Sequence, residues 1–115
     1  MTSQSNPLAN IANGGTTSQI LDIHGNYLVG FYTPSALTST AITFQAASDL
    51  DQTFVTVKAS GGSAISFTVA ASGYYGFTND QIAQFRGVRY IQLVCGSAEG
   101  AARAIPLCLQ AKSSW

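Results

Sequence analysis

Short runs in which apolar and polar residues alternate, each closed by a turn, constrain this chain more than any other feature. Ile65, Phe67 and Val69 alternate with Ser66 and Thr68, and Ile42, Phe44 and Ala46 alternate with Thr43 and Gln45. A period of two sends successive side chains to opposite faces of an extended strand, so each run reads as half-buried β-structure. Similar runs cover Ile20–Ile23, Tyr27–Tyr32, Phe54–Lys58, Val88–Val94 and Ile105–Leu109. Between them stand His24-Gly25-Asn26, Thr33-Pro34-Ser35, Asp49-Leu50-Asp51-Gln52, Gly61-Gly62 and Ser97 to Gly100, which carry turn chemistry. Pro106 inside the last run predicts an edge strand or a bulge, because proline cannot donate to a ladder.

One helical turn is expected. Thr78 followed by Gln81 three positions later fits a capping box, with Ile82 and Phe85 facing inward and Gly87 ending the turn. About seven or eight short strands with no long helical crossover exclude a parallel sheet and point to an antiparallel sandwich or barrel. The expected fold is an all-β antiparallel sandwich of jelly-roll type, and an immunoglobulin-like sandwich is the alternative.

The 115 residues suit one domain. Residues 1–17 are polar, rich in Gly, Asn, Ser and Thr, and aperiodic, so they are expected to form a flexible N-terminal arm before a sandwich over 18–115. Leu8 and Ile11 are its candidate anchor points.

Only 9% of the residues are charged, against roughly 25% in ordinary soluble domains, and five basic residues balance five acidic ones. Such a chain has no electrostatic footprint for a polyanion, which argues against nucleic acid and anionic membrane as partners. It suits a surface that neighbouring subunits cover, where desolvating charges is costly.

Cys95 and Cys108 lie 13 residues apart, a spacing that matches no metal motif. A cross-strand disulfide and two buried free thiols both remain open. The chain start lacks the basic and apolar regions of a secretory signal, and no stretch approaches the roughly 20 apolar residues of a membrane helix. The expected setting is therefore the cytoplasm, with the thiols reduced.

Catalysis has little to work with. His24, the only histidine, falls in a turn near Asp22 with no nucleophile motif beside it. Asp49 and Asp51 are too close along one loop to flank a glycoside and lack the calcium-loop pattern, and the remaining carboxylates, Asp80 and Glu99, are scattered. Turn capping by the aspartates is the better reading, and neither an enzyme nor a cofactor is expected. Tyr74 and Tyr75, set between Gly73 and Gly76, cannot both face inward from an extended segment. An exposed tyrosine suits a sugar or a protein interface. With Arg86, Arg89 and the terminal Trp115, the two tyrosines complete the candidate interface residues.

The order of segments also resembles a known group. Leu28-Val29-Gly30-Phe31, Ala41-Ile42-Thr43-Phe44-Gln45-Ala46-Ala47-Ser48-Asp49, Phe54-x-x-Val57 and Phe85-x-Gly87-Val88-Arg89-Tyr90-Ile91-Gln92-Leu93 run in series toward Cys95-Gly96-Ser97. This is similar to small virion proteins of tailed bacteriophages, over about residues 20–110. The chain departs from that pattern at Asp49-Leu50-Asp51, where Asp-Gly is usual, and at Cys95, where Ser is common. The resemblance implies a jelly-roll capsid decoration or cement protein that docks on the major capsid protein and bridges subunits at the virion surface. It implies assembly in the host cytoplasm, a homo-oligomer and no catalytic residues. The competing reading is a carbohydrate- or receptor-binding module of a phage tail or fibre.

Overall fold

The structure, a computed structural model, describes residues 7–112. Nine strands and one short helix follow in order. They are β1 (Leu8–Ile11), β2 (Leu21–Asp22), β3 (Asn26–Tyr32), β4 (Ala41–Ala47), β5 (Val55–Thr56), β6 (Ser66–Thr68), β7 (Tyr74–Gly76), α1 (Asn79–Ala83), β8 (Tyr90–Cys95) and β9 (Arg103–Ala111).

All the strand pairings are antiparallel, and they nest. β1 pairs β9, β2 pairs β8, β3 pairs β7, and β4 pairs both β5 and β6. The chain is thus one long hairpin whose two arms roll up together, closed by the β3–β9 and β4–β8 ladders. Two sheets result, one ordered β1-β9-β3-β7 and the other β2-β8-β4 with β5 and β6 along the far edge of β4. This is the jelly-roll arrangement that the alternation predicted. β5 and β6 are two parts of one edge strand, interrupted by a small excursion that the Lys58–Ala64 bridge closes. Gly62 turns that excursion at φ +94°, a conformation that costs other residues strain.

Alternation fills the space between the sheets. Phe31 and Leu28 of β3, Ile105, Leu107 and Leu109 of β9, Ile42 and Phe44 of β4, and Ile91 and Leu93 of β8 are all buried. Phe31 sits at the aromatic centre, edge-on to Phe44 at 5.8 Å and to Phe67 at 5.3 Å, and stacked on Tyr75 at 5.4 Å. Edge-to-face contact of this kind adds about 0.5–1.5 kcal/mol per pair beyond area burial. The expected capping box forms at α1: Gln81 N–H donates to Thr78 Oγ1 at 3.2 Å, and Thr78 N–H donates to Gln81 Oε1 at 2.8 Å. The helix covers one end of the core and delivers Phe85, fully buried, onto Phe44 and Phe77.

Two expectations need correction, and the extended tyrosine segment gains a partner. The flexible arm over 1–17 does not hold for its described part, because residues 8–11 pair with β9 and bury Ala9 and Ile11 in the core. Alternation over four residues with small neighbours was too brief to stand out from a polar, aperiodic context. Residues 1–6 lie outside the described residues. Pro106 is not on an edge strand, since β9 lies between β1 and β3. Leu107 N–H donates toward β1, to the Pro7 carbonyl. The Pro106 nitrogen therefore faces β3 beside Tyr32, and the β3–β9 ladder ends at the Phe31–Leu107 pair, where the proline has no N–H to donate. The bulge of this sheet is in β3 instead, at Val29. Finally, the tyrosine segment is itself a strand, β7, at the edge of the first sheet.

Candidate interaction surface

Strand period and register bring four side chains into one row on the outer face of the β1-β9-β3-β7 sheet. Leu8 pairs with Pro106, and Tyr32 pairs with Tyr74. The register of Phe31 with Leu107 sets Pro106 beside Tyr32 one step further on. Leu8, Tyr32 and Tyr74 are 46%, 49% and 51% exposed, so half the exposed large apolar residues of the described chain stand in this row. The rings of Tyr32 and Tyr74 lie 4.7 Å apart, centre to centre.

The next row explains why the Tyr74 ring lies down on the sheet. Cys108 pairs with Gly30, and Gly30 with Gly76, so the surface under the ring has almost no side chain. The Tyr74 ring crosses both glycines. Burial pushes the Tyr74 phenol above its ordinary pKa, with the neighbouring Cys108 and Tyr32 acting in the same direction. Neither row contains a charged residue. These rows are apolar and aromatic, and the phenolic hydroxyls are their chief polar groups. Such a surface can cover a protein face or stack on a sugar ring, and it offers nothing to attract a polyanion.

The candidate interface residues separate on this structure. Tyr74 and Leu8 belong to the row. Tyr75, one residue along, points inward against Phe31, and its hydroxyl accepts the Ala70 N–H at 2.8 Å. Ile11 is core. Arg89 lies on the other sheet, 3.2 Å from Asp22 and stacked on Tyr90 at 5.1 Å. Arg86 is exposed beyond α1, where its carbonyl accepts the Lys112 ammonium at 2.8 Å. Trp115 lies outside the described residues. Tyr32 and Pro106 are the members the sequence reading missed. For Tyr32 the signal was present, since Phe31 facing inward dictates that Tyr32 faces out.

The candidate chemistry is equally dispersed. His24 is exposed in a turn, and its backbone N–H, not its ring, bonds Asp22 Oδ1 at 2.9 Å. Asp49 accepts the Asp51 N–H at 3.0 Å, the turn-capping arrangement expected of it. A shallow groove of about 390 Å³ at the end of β4 is lined by residues such as Ala47, Gln52 and Val88, with no titratable side chain. Among the described residues no group of three His, Cys, Asp or Glu is placed to hold a metal. Cys95 and Cys108 are both buried free thiols.

One carboxylate does stand out. The Glu99 side chain is fully buried, and its oxygens accept the Thr38 and Ser39 N–H groups at 2.8 Å each and Arg103 Nε at 2.9 Å. Its backbone also bonds Gly14 and Gly15, so three loops meet on this residue. Burial alone would raise its pKa, but these donors outweigh it and hold the carboxyl down to about 2. With its side chain fully buried and both oxygens hydrogen-bonded, Glu99 is a clasp. Comparison of the chain with protein-family models, with curated proteins and with solved structures found no match.

Proposed function

We propose that this protein is a phage virion structural protein that docks on the assembled capsid and stabilises it, as a decoration or cement protein. The observation that carries the reading is the uncharged aromatic row of Leu8, Pro106, Tyr32 and Tyr74 across all four strands of one sheet. Side chains held on paired strands lose little entropy on docking, and tyrosines supply large contact area with few rotors. The low charge of the whole chain fits a module surrounded by copies of itself and by the major capsid protein. The phage assignment rests on the segment resemblance described above. Many weakly held copies can stabilise a shell through multivalent contact.

The test is co-sedimentation with assembled, undecorated shells. Saturable binding that raises the shells' heat resistance, and that a Tyr32→Ser/Tyr74→Ser variant loses while remaining folded, supports the reading. Wild-type protein left in the supernatant overturns it. The Tyr32–Tyr74 pair also favours a second reading, a glycan-binding module of a tail or fibre. That reading requires saturable binding on a glycan array, abolished by the same variant.

A further inference from the structure

The free edge of β1 is occupied by a side chain in a way that reveals what it would otherwise bind. Ala9 and Ile11 direct their backbone groups at β9, which leaves the Leu8 carbonyl and the Asn10 N–H facing away from the sheet. Gln19 fills that position with its primary amide. Asn10 N–H donates to Gln19 Oε1 at 2.8 Å, and Gln19 Nε2 donates to the Leu8 carbonyl at 3.0 Å. One amide thus bonds both an acceptor and a donor of the edge, as the backbone of an added strand would.

We propose that Gln19 is a latch over a strand-pairing edge, and that a second copy of this chain, through its own β1, is the partner the edge takes when the latch is removed. Exposed edges are usually guarded by lysine or other charges, by proline or by bulges. Here the first 21 residues contain no Asp, Glu, Lys or Arg, so β1 has no charged guard. The same absence admits a second copy as the partner. Two uncharged β1 strands on copies of zero net charge meet no like-charge repulsion. Exposed Leu8 and Ile20, at 46% and 45%, flank the latch and would be covered by the approaching copy. Two identical strands running antiparallel also close a two-fold pair without leaving an open repeat. The latch itself uses no tyrosine of the aromatic row, although Leu8 is common to the row and to the edge.

The experiment is sedimentation velocity over a concentration series for the wild type, Gln19→Ala and Asn10→Pro/Gln19→Ala. Proline at position 10 removes only the N–H that faces outward, a substitution edge strands tolerate. The expected result is a Gln19→Ala chain that dimerises with an association constant raised at least tenfold, and a double variant that returns to wild-type behaviour. A folded Gln19→Ala chain that sediments like the wild type overturns the proposal, as does a dimer that persists in the double variant. Amide hydrogen exchange on the wild type gives a check that needs no variant. The Asn10 N–H should be protected although it lies on an edge, and exchange at the rate of a free amide would overturn the latch.

Discussion

The ring of Tyr74 lies across Gly30, so that a β-carbon at position 30 would stand 2.5 Å from the phenolic oxygen and 2.9 Å from the Tyr75 carbonyl. The ring could swing aside, but the Tyr75 carbonyl belongs to β7 and is fixed by its ladder to β3. Gly30→Ala should therefore push the edge strand outward and destabilise the fold by about 1–3 kcal/mol, the usual range for overpacking. Urea denaturation monitored by aromatic fluorescence measures this. An unchanged midpoint would mean that β7 moves freely.

Cys108 shares the shelter of that ring. It pairs with Gly30, is 8% exposed, and its thiol pKa is pushed up by burial. Tyr74→Ala should uncover it, and the rate of modification by a thiol reagent should rise several-fold. Cys95 faces the core with Ile91 and Leu93 and should stay unreactive in the same protein. Equal acceleration at both thiols would point to general loosening instead.

The Glu99 clasp predicts acid sensitivity with a defined sign. The folded carboxyl titrates at about 2, below its ordinary value of 4.5. A depressed carboxyl stabilises the fold above its unfolded pKa and loses that contribution as pH falls through the folded one. The window is thus about pH 4.5 down to about 2, and the contribution at neutral pH is about 3 kcal/mol. Glu99→Gln should lose a similar amount at pH 7, since Arg103 is only 15% exposed and would keep a charge without its partner. The diagnostic readout is the pH profile of unfolding, which should flatten between pH 5 and 2 in the variant (about 3 kcal/mol less slope, summed over the window).

How much of this was legible in sequence follows from the range of the forces involved. Alternation at Ile42, Phe44 and Ile65 to Val69 is local, and it specified strands, inward faces and fold class. The capping box at Thr78 is equally local and forms as read. What was missed depends on register. Nothing near Pro106 announces that its nitrogen faces the end of the β3 ladder, and nothing near Leu8 announces its alignment with Tyr32 and Tyr74, two and three strands away. Glu99 looked like one more loop carboxylate because its partners, Thr38 and Ser39, are 61 and 60 residues distant. Among the interface candidates, adjacent Tyr74 and Tyr75 had to part by period, but which one faced out was set by pairing with β3.

Arg89 separates the two faces of the molecule experimentally. Its guanidinium and the Asp22 carboxylate are each 46% exposed at 3.2 Å, and the contact lowers the Asp22 pKa chiefly through that hydrogen bond. Solvent-exposed pairs are screened and contribute little, so Arg89→Ala should shift the urea midpoint little. Because Arg89 lies on the β2-β8-β4 side, the substitution should also leave binding to shells or glycans unchanged, whereas Tyr32→Ser/Tyr74→Ser abolishes it. Loss of binding in Arg89→Ala with stability intact would move the docking surface from the aromatic row to the opposite sheet.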